Sequence, residues 1–109
     1  MTVAELKELL TAGRHVHLIG IGGVSMFSLA QVLLGAGMKV TGSDLNDSDN
    51  VANLRDQGVT VYPGHFPENL EGAELVIRTA AVHDDNPEIQ AAREQGIPVF
   101  ERAQAWVPL

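Results

Sequence analysis

The chain predicts a doubly wound α/β domain built on a parallel five-stranded sheet, and three observations carry that prediction. Short apolar segments alternate with stretches of helical periodicity along the chain. Gly37, Gly58, Gly72 and Gly96 each stand just ahead of an apolar segment, the rhythm of helix-to-strand returns. The run His15-Val16-His17-Leu18-Ile19-Gly20-Ile21-Gly22-Gly23-Val24-Ser25-Met26 passes from an apolar strand through a glycine-rich turn into a helix. Alternating strands and helices give a parallel sheet with right-handed crossovers. The architecture expected is Rossmann-like, with sheet order 3-2-1-4-5. No repeat, low-complexity tract or interdomain linker interrupts it, so the 109 residues read as a single domain.

Each element has its own local reason. Thr2 and Glu5 have the spacing of a capping box, and Val3 to Leu10 carry helical periodicity up to Gly13. A strand follows from His15 to Gly20, then the glycine turn, then a helix from Val24 to Gly35. Gly37 ends it, and Met38 to Gly42 is the second strand. Asp47 or Ser48 caps a third helix through Gln57, which Gly58 stops before the strand Val59 to Tyr62. Pro63 to Gly72 is a loop with one helical turn. Glu74 to Thr79 is the fourth strand. Asn86-Pro87-Glu88 sets a capping residue before a proline at the first helical position, and that helix runs to Gln95. Ile97 to Phe100 is the fifth strand. Glu101 to Trp106 starts a further helix running into Val107-Pro108-Leu109, which suggests that the chain is a piece of a longer protein.

Composition narrows the function. Hydrophobic residues make up 45% of the chain, as in folded globular domains. There is no cysteine, which excludes a disulfide framework, a thiolate metal site and a thiol nucleophile. A net charge of −7, from 14 acids and 7 bases, argues against a nucleic-acid partner. It leaves a phosphorylated ligand open, because a helix N-terminus binds phosphate through local dipoles and not net charge. With no basic-then-apolar leader and no apolar run of spanning length, a cytoplasmic location and no membrane partner are expected.

Ligands of open parallel sheets sit beyond the carboxyl ends of the strands, where strand order reverses. After the first strand come Gly20, Gly22, Gly23, Val24 and Ser25, a G-x-G-x-x-S version of the dinucleotide turn. Glycine there lets the backbone approach a pyrophosphate. After the second strand come Ser43 and Asp44, the acid 19 positions beyond Ser25, near where dinucleotide folds place a ribose-binding carboxylate. After the third, Tyr62-Pro63-Gly64-His65 can bring His65 toward the site or hold it as a structural loop histidine. After the fourth, Thr79, Ala80 and Ala81 are small enough for a ligand to pass, or for tight packing. His15 and His17 alternate on the first strand and suit packing or strand entry better than ligation. His83, Asp84 and Asp85 lack metal-site spacing and read as a solvated loop. Arg102 can reach a phosphate or pair with Glu101 or Glu88. No Ser–His–Asp grouping and no G-x-x-x-x-G-K-[ST] loop is present, so the domain is expected to bind and not to catalyse, with no catalytic residue, cofactor or metal of its own.

Five segments match a known family in order and spacing. They are His17 to Met26, Gly42-Ser43-Asp44, Gly64-His65, Asp85-Asn86-Pro87-Glu88 and Glu101-Arg102-Ala103. Together they resemble the N-terminal domain of the UDP-N-acetylmuramate–L-alanine ligases of the Mur ligase family, over His15 to Trp106. Ser25 departs from that pattern, standing where many members have glycine, and Arg78-Thr79 stands where small hydroxyl residues are usual. The resemblance implies a cytoplasmic, ATP-dependent peptidoglycan ligase of three domains. The first would hold UDP-N-acetylmuramic acid; ATP, Mg2+ and L-alanine would engage domains absent from this chain. It further implies that Gly22, Gly23, Val24 and Ser25 offer main-chain donors to the UDP phosphates. Asp44 with Ser43 would face the ribose or uracil, His65 would lie near the uridine, and Thr79, Ala80 and Ala81 would line the path of the diphosphate sugar. This chain alone would then be inactive in ligation. The alternatives are an NAD-binding domain of a dehydrogenase or redox-sensing module, the first domain of the ligase that recycles murein peptides, and a non-catalytic regulatory module.

Overall fold

The computed structural model describes residues 3–106. The capping box expected of Thr2 and Glu5 lies outside what it describes, as do Val107, Pro108 and Leu109. Five strands form one sheet: β1 (His15–Ile19), β2 (Lys39–Ser43), β3 (Thr60–Tyr62), β4 (Leu75–Arg78) and β5 (Val99–Glu101). Their order is β3-β2-β1-β4-β5, with every neighbouring pair parallel. This is the doubly wound order expected from the sequence.

The connecting helices are α1 (Val3–Leu9), α2 (Val24–Gly35), α3 (Asp49–Asp56), α4 (Pro87–Glu94) and α5 (Arg102–Trp106), with a 3-10 turn at Pro67–Leu70. Ser48 caps α3 by accepting from Val51 N–H, and Asn86 caps α4 by accepting from Glu88 N–H. Alternate residues of each strand face opposite layers. Val16, Leu18, Leu75 and Ile77 pack with residues of α1, α2, α3 and α5. Ile19 and Val76 face Ile89, Ala91 and Ala92 of α4 and Leu70 of the 3-10 turn. The chain winds from β1 through β2 to β3 over one face and from β4 to β5 over the other, so the strand tips part beside β1.

Four strands begin one or two residues later than the sequence suggests, and β2, β3 and β5 do so for one shared reason. The N–H groups of Met38, Val59 and Ile97 reach back to the carbonyls of Leu33, Leu54 and Ala92 at 3.1, 3.0 and 2.8 Å. Gly37, Gly58 and Gly96 take positive φ to permit it, the Schellman closure of a helix. A residue whose N–H closes the helix cannot also join the ladder. β2 and β3 therefore start at Lys39 and Thr60. At β5 the following Pro98 has no N–H to donate, and the strand starts at Val99.

Candidate functional site

A cleft of about 710 Å³ opens over the carboxyl ends of β1, β2 and β4. One wall is the glycine turn with Val24, Ser25 and Met26; the other is Thr79, Ala80, Ala81 and Val82. Asp44, Leu45, Asn46, Ser48, His65 and Arg102 complete the lining. Val24 and Leu45 are strongly exposed aliphatic side chains at its mouth.

The glycine turn is fastened to the tip of β2. Gly20, at φ 78°, and Ile21 both donate to the Ser43 carbonyl, at 2.8 and 3.1 Å. Gly22 N–H donates to Asp44 Oδ2 at 2.9 Å, and Gly23 N–H to the Gly20 carbonyl at 3.1 Å. A Cβ on Gly22 would stand 2.8 Å from Asp44 Oδ2 and 2.9 Å from Val51 Cγ2. The family resemblance implies that Gly22, Gly23, Val24 and Ser25 all offer donors to a ligand. The structure corrects this: the Gly22 amide is taken by Asp44 beyond β2, and the Gly23 amide by the Gly20 carbonyl within the turn. The amides left open are those of the first turn of α2, at Val24, Ser25 and Met26. That helix has no side-chain cap and no acid in its first turn, so the positive end of its dipole is exposed to the cleft.

Asp44 differs from expectation in a related way. Its Oδ2 holds Gly22, and its Oδ1 accepts from Asn46 N–H at 2.9 Å, so it braces the turn while facing the cleft. Ser43 is a correction. Its side chain points away from the cleft into the protein, is fully buried, and joins His65 Nδ1 and Glu88 Oε1 at 2.8 Å each.

Behind the cleft floor lies a buried polar cluster that the sequence analysis did not identify. Glu88 is fully buried. Its Oε1 accepts from His17 Nε2 at 2.6 Å and from Ser43, and its Oε2 from Asn69 Nδ2 at 2.8 Å and Phe66 N–H at 3.1 Å. Burial alone would raise its pKa. The hydrogen bond and charge of His17, with the bonds from Asn69 and Ser43, outweigh burial and hold the carboxyl below the usual glutamate value. His17 Nδ1 and His15 Nε2 both meet Thr41 Oγ1, at 2.9 and 2.8 Å. Burial, helped by the charges of Lys39 and His17, pushes the His15 pKa down. One signal was available: His15, His17, Thr41 and Ser43 share one parity on two adjacent strands, a polar stripe that needed a buried partner.

On the far wall, the Arg78 guanidinium binds the Asp84 carboxylate and the Val82 carbonyl, bracing the loop that carries Thr79 to Ala81. Asp84 is exposed, as a solvated loop implies, yet Arg78 and then Arg93 hold its pKa below the usual range. Arg102 stands at the cleft edge and, among the described residues, has no carboxylate within ion-pair distance; Glu88 is engaged elsewhere.

Fold and cleft together define a Rossmann-like α/β domain with a cleft where strand order reverses. Residues 15–107 match the family described as Mur ligase family, catalytic domain, and the chain belongs to the Mur ligase family. It is 50% identical to the UDP-N-acetylmuramate–L-alanine ligase of Persephonella marina over 88% of this chain and 21% of that protein. The enzyme of the same name from Hyphomonas neptunium is 54% identical over 80% of this chain and 18% of its own length. Among solved structures, the UDP-N-acetylmuramate–alanine ligase of Thermotoga maritima superposes with a TM-score of 0.82 at 36% identity, over 84% of this chain and 21% of that one. The UDP-N-acetylmuramate:L-alanyl-γ-D-glutamyl-meso-diaminopimelate ligase of Neisseria meningitides gives 0.76 at 28% identity, over 84% of this chain and 29% of that one. The chain spans about a fifth of the length of the curated relatives it matches.

Proposed function

We propose that this chain is the N-terminal, UDP-N-acetylmuramic acid-binding domain of an ATP-dependent UDP-N-acetylmuramate–L-alanine ligase of peptidoglycan synthesis, acting in the cytoplasm. The observation that carries the reading is the uncapped start of α2, whose three open amides face a cleft of nucleotide size. The diphosphate would sit there, with Arg102 as a second source of positive charge. Thr79, Ala80 and Ala81 leave room for the sugar, and Asp44 and His65 border the nucleoside end. In the whole enzyme the muramate carboxyl would become an acyl phosphate, which the amino group of L-alanine attacks. ATP, Mg2+ and L-alanine would be held by parts of the relatives' length beyond this chain, which has no G-x-x-x-x-G-K-[ST] loop.

Two alternatives are weaker. The likeness to shikimate dehydrogenase from Aquifex aeolicus, at 16% identity, extends to the fold alone. Among solved structures the peptide-recycling ligases stand at 28% and 32% identity against 36% for the alanine ligase, and the curated relatives at 50% and 54% identity are alanine ligases. Titration calorimetry of this chain with UDP-N-acetylmuramic acid and with NAD separates the UDP-sugar reading from the dinucleotide one. Binding of the UDP-sugar alone is expected, and binding of NAD alone would overturn the proposal.

A further inference from the structure

His65 lines the cleft, and one of its ring nitrogens is held by the protein. Nδ1 lies 2.8 Å from Ser43 Oγ, which lies 2.8 Å from Glu88 Oε1. A hydroxyl has one hydrogen, and an ionised carboxylate only accepts. Ser43 therefore donates to Glu88 and accepts from His65, which sets the His65 hydrogen on Nδ1. The opposite end of the carboxylate is equally directional. Glu88 Oε2 receives Phe66 N–H and Asn69 Nδ2, and the same Asn69 amide donates to the Gly64 carbonyl at 2.8 Å. Reversing Asn69 would set its oxygen against two acceptors. With His17 Nε2 on Oε1, four donors converge on Glu88 and no acceptor does. Among the described residues nothing hydrogen-bonds His65 Nε2, and the ring lines the cleft.

We infer that Glu88 is a positioning residue: through Ser43 it holds His65 as the Nδ1–H tautomer, so that Nε2 presents a hydrogen-bond acceptor to the cleft. A ligand is then selected for an N–H or O–H donor at that point, a ribose hydroxyl or the imide of a uracil ring. The tautomer stands independently of any ligand; the choice of donor rests on the nucleotide reading of the cleft.

Long-range proton–nitrogen correlation spectra of the 109-residue chain, taken where His65 is neutral, read the tautomer directly. Nδ1–H is expected without ligand, and Nε2–H would overturn the inference. Glu88→Gln supplies the sharper test. Its amide oxygen can keep the Phe66 and Asn69 donors only by turning its NH2 toward Ser43 and His17. Ser43 must then donate to His65 Nδ1, and the ring is expected to switch to Nε2–H, with UDP affinity falling about tenfold or more. A folded Glu88→Gln chain whose His65 remains Nδ1–H refutes the relay. Should that variant not fold, Ser43→Ala decides: loss of the Nδ1–H preference supports the inference and its retention refutes it. UDP that fails to bind the unaltered chain while His65 is Nδ1–H removes the nucleotide reading and leaves the positioning role intact.

Discussion

Asp44 ties two separate segments together before any ligand arrives. Its carboxylate fastens Gly22 with one oxygen and Asn46 with the other, so the turn is ordered in advance. Asp44→Ala is expected to weaken UDP-N-acetylmuramic acid binding by about 1.5–3 kcal/mol, read by titration calorimetry, with the fold retained. Asp44→Asn, which keeps one acceptor, should lose less. Buried His15 and Glu88 give the chain a two-stage acid response. His15 is held below the ordinary histidine pKa, so the unfolded chain takes up that proton more readily and stability falls as pH drops below about 6.5. Glu88 is held below the ordinary glutamate value, so its contribution is present above about 4.3 and is lost as pH falls through the lower folded value. Urea midpoints measured between neutrality and acid should show both declines, and His15→Gln should remove the first. Residue types at the cleft were readable in advance; partners were not. Nothing local to Asp44 says that it will choose Gly22, and Glu88 finds His17 across 71 positions of chain.

Elements were more legible than contacts because their signals are local. Gly37, Gly58 and Gly96 marked the helix ends because left-handed backbone favours glycine, and all three adopt it. What periodicity could not resolve was the residue after each glycine, apolar like a strand residue but with its N–H used by the preceding helix. Gly42 has a different reason for lacking a side chain. A Cβ there would meet Ile21 Cβ and Cδ1 at 2.6 Å, in the middle of the turn that shapes the cleft. Gly42→Ala is therefore expected to destabilise the chain by about 1–3 kcal/mol in denaturant unfolding, with the largest amide chemical-shift changes in the glycine turn.

For the whole molecule, the sequence indicated the sheet order because the alternation of elements leaves few right-handed solutions. Among the described residues no helix is long and apolar enough to cross a membrane. A ligand that binds only the folded chain stabilises it by mass action, by about 2.7 kcal/mol at a hundred times its Kd. For a domain near this size that corresponds to roughly 10 °C or more in Tm, so differential scanning fluorimetry with UDP-N-acetylmuramic acid should show a shift of that order, and NAD none.

The divergence of the strand tips beside β1 comes from connectivity, since the path reverses direction there whatever side chains it carries. The hollow is thus inherited with the winding, and ligand identity is written in the loops around its rim. A chimaera that exchanged only those loops with another doubly wound protein would carry the specificity across and leave the scaffold as it was.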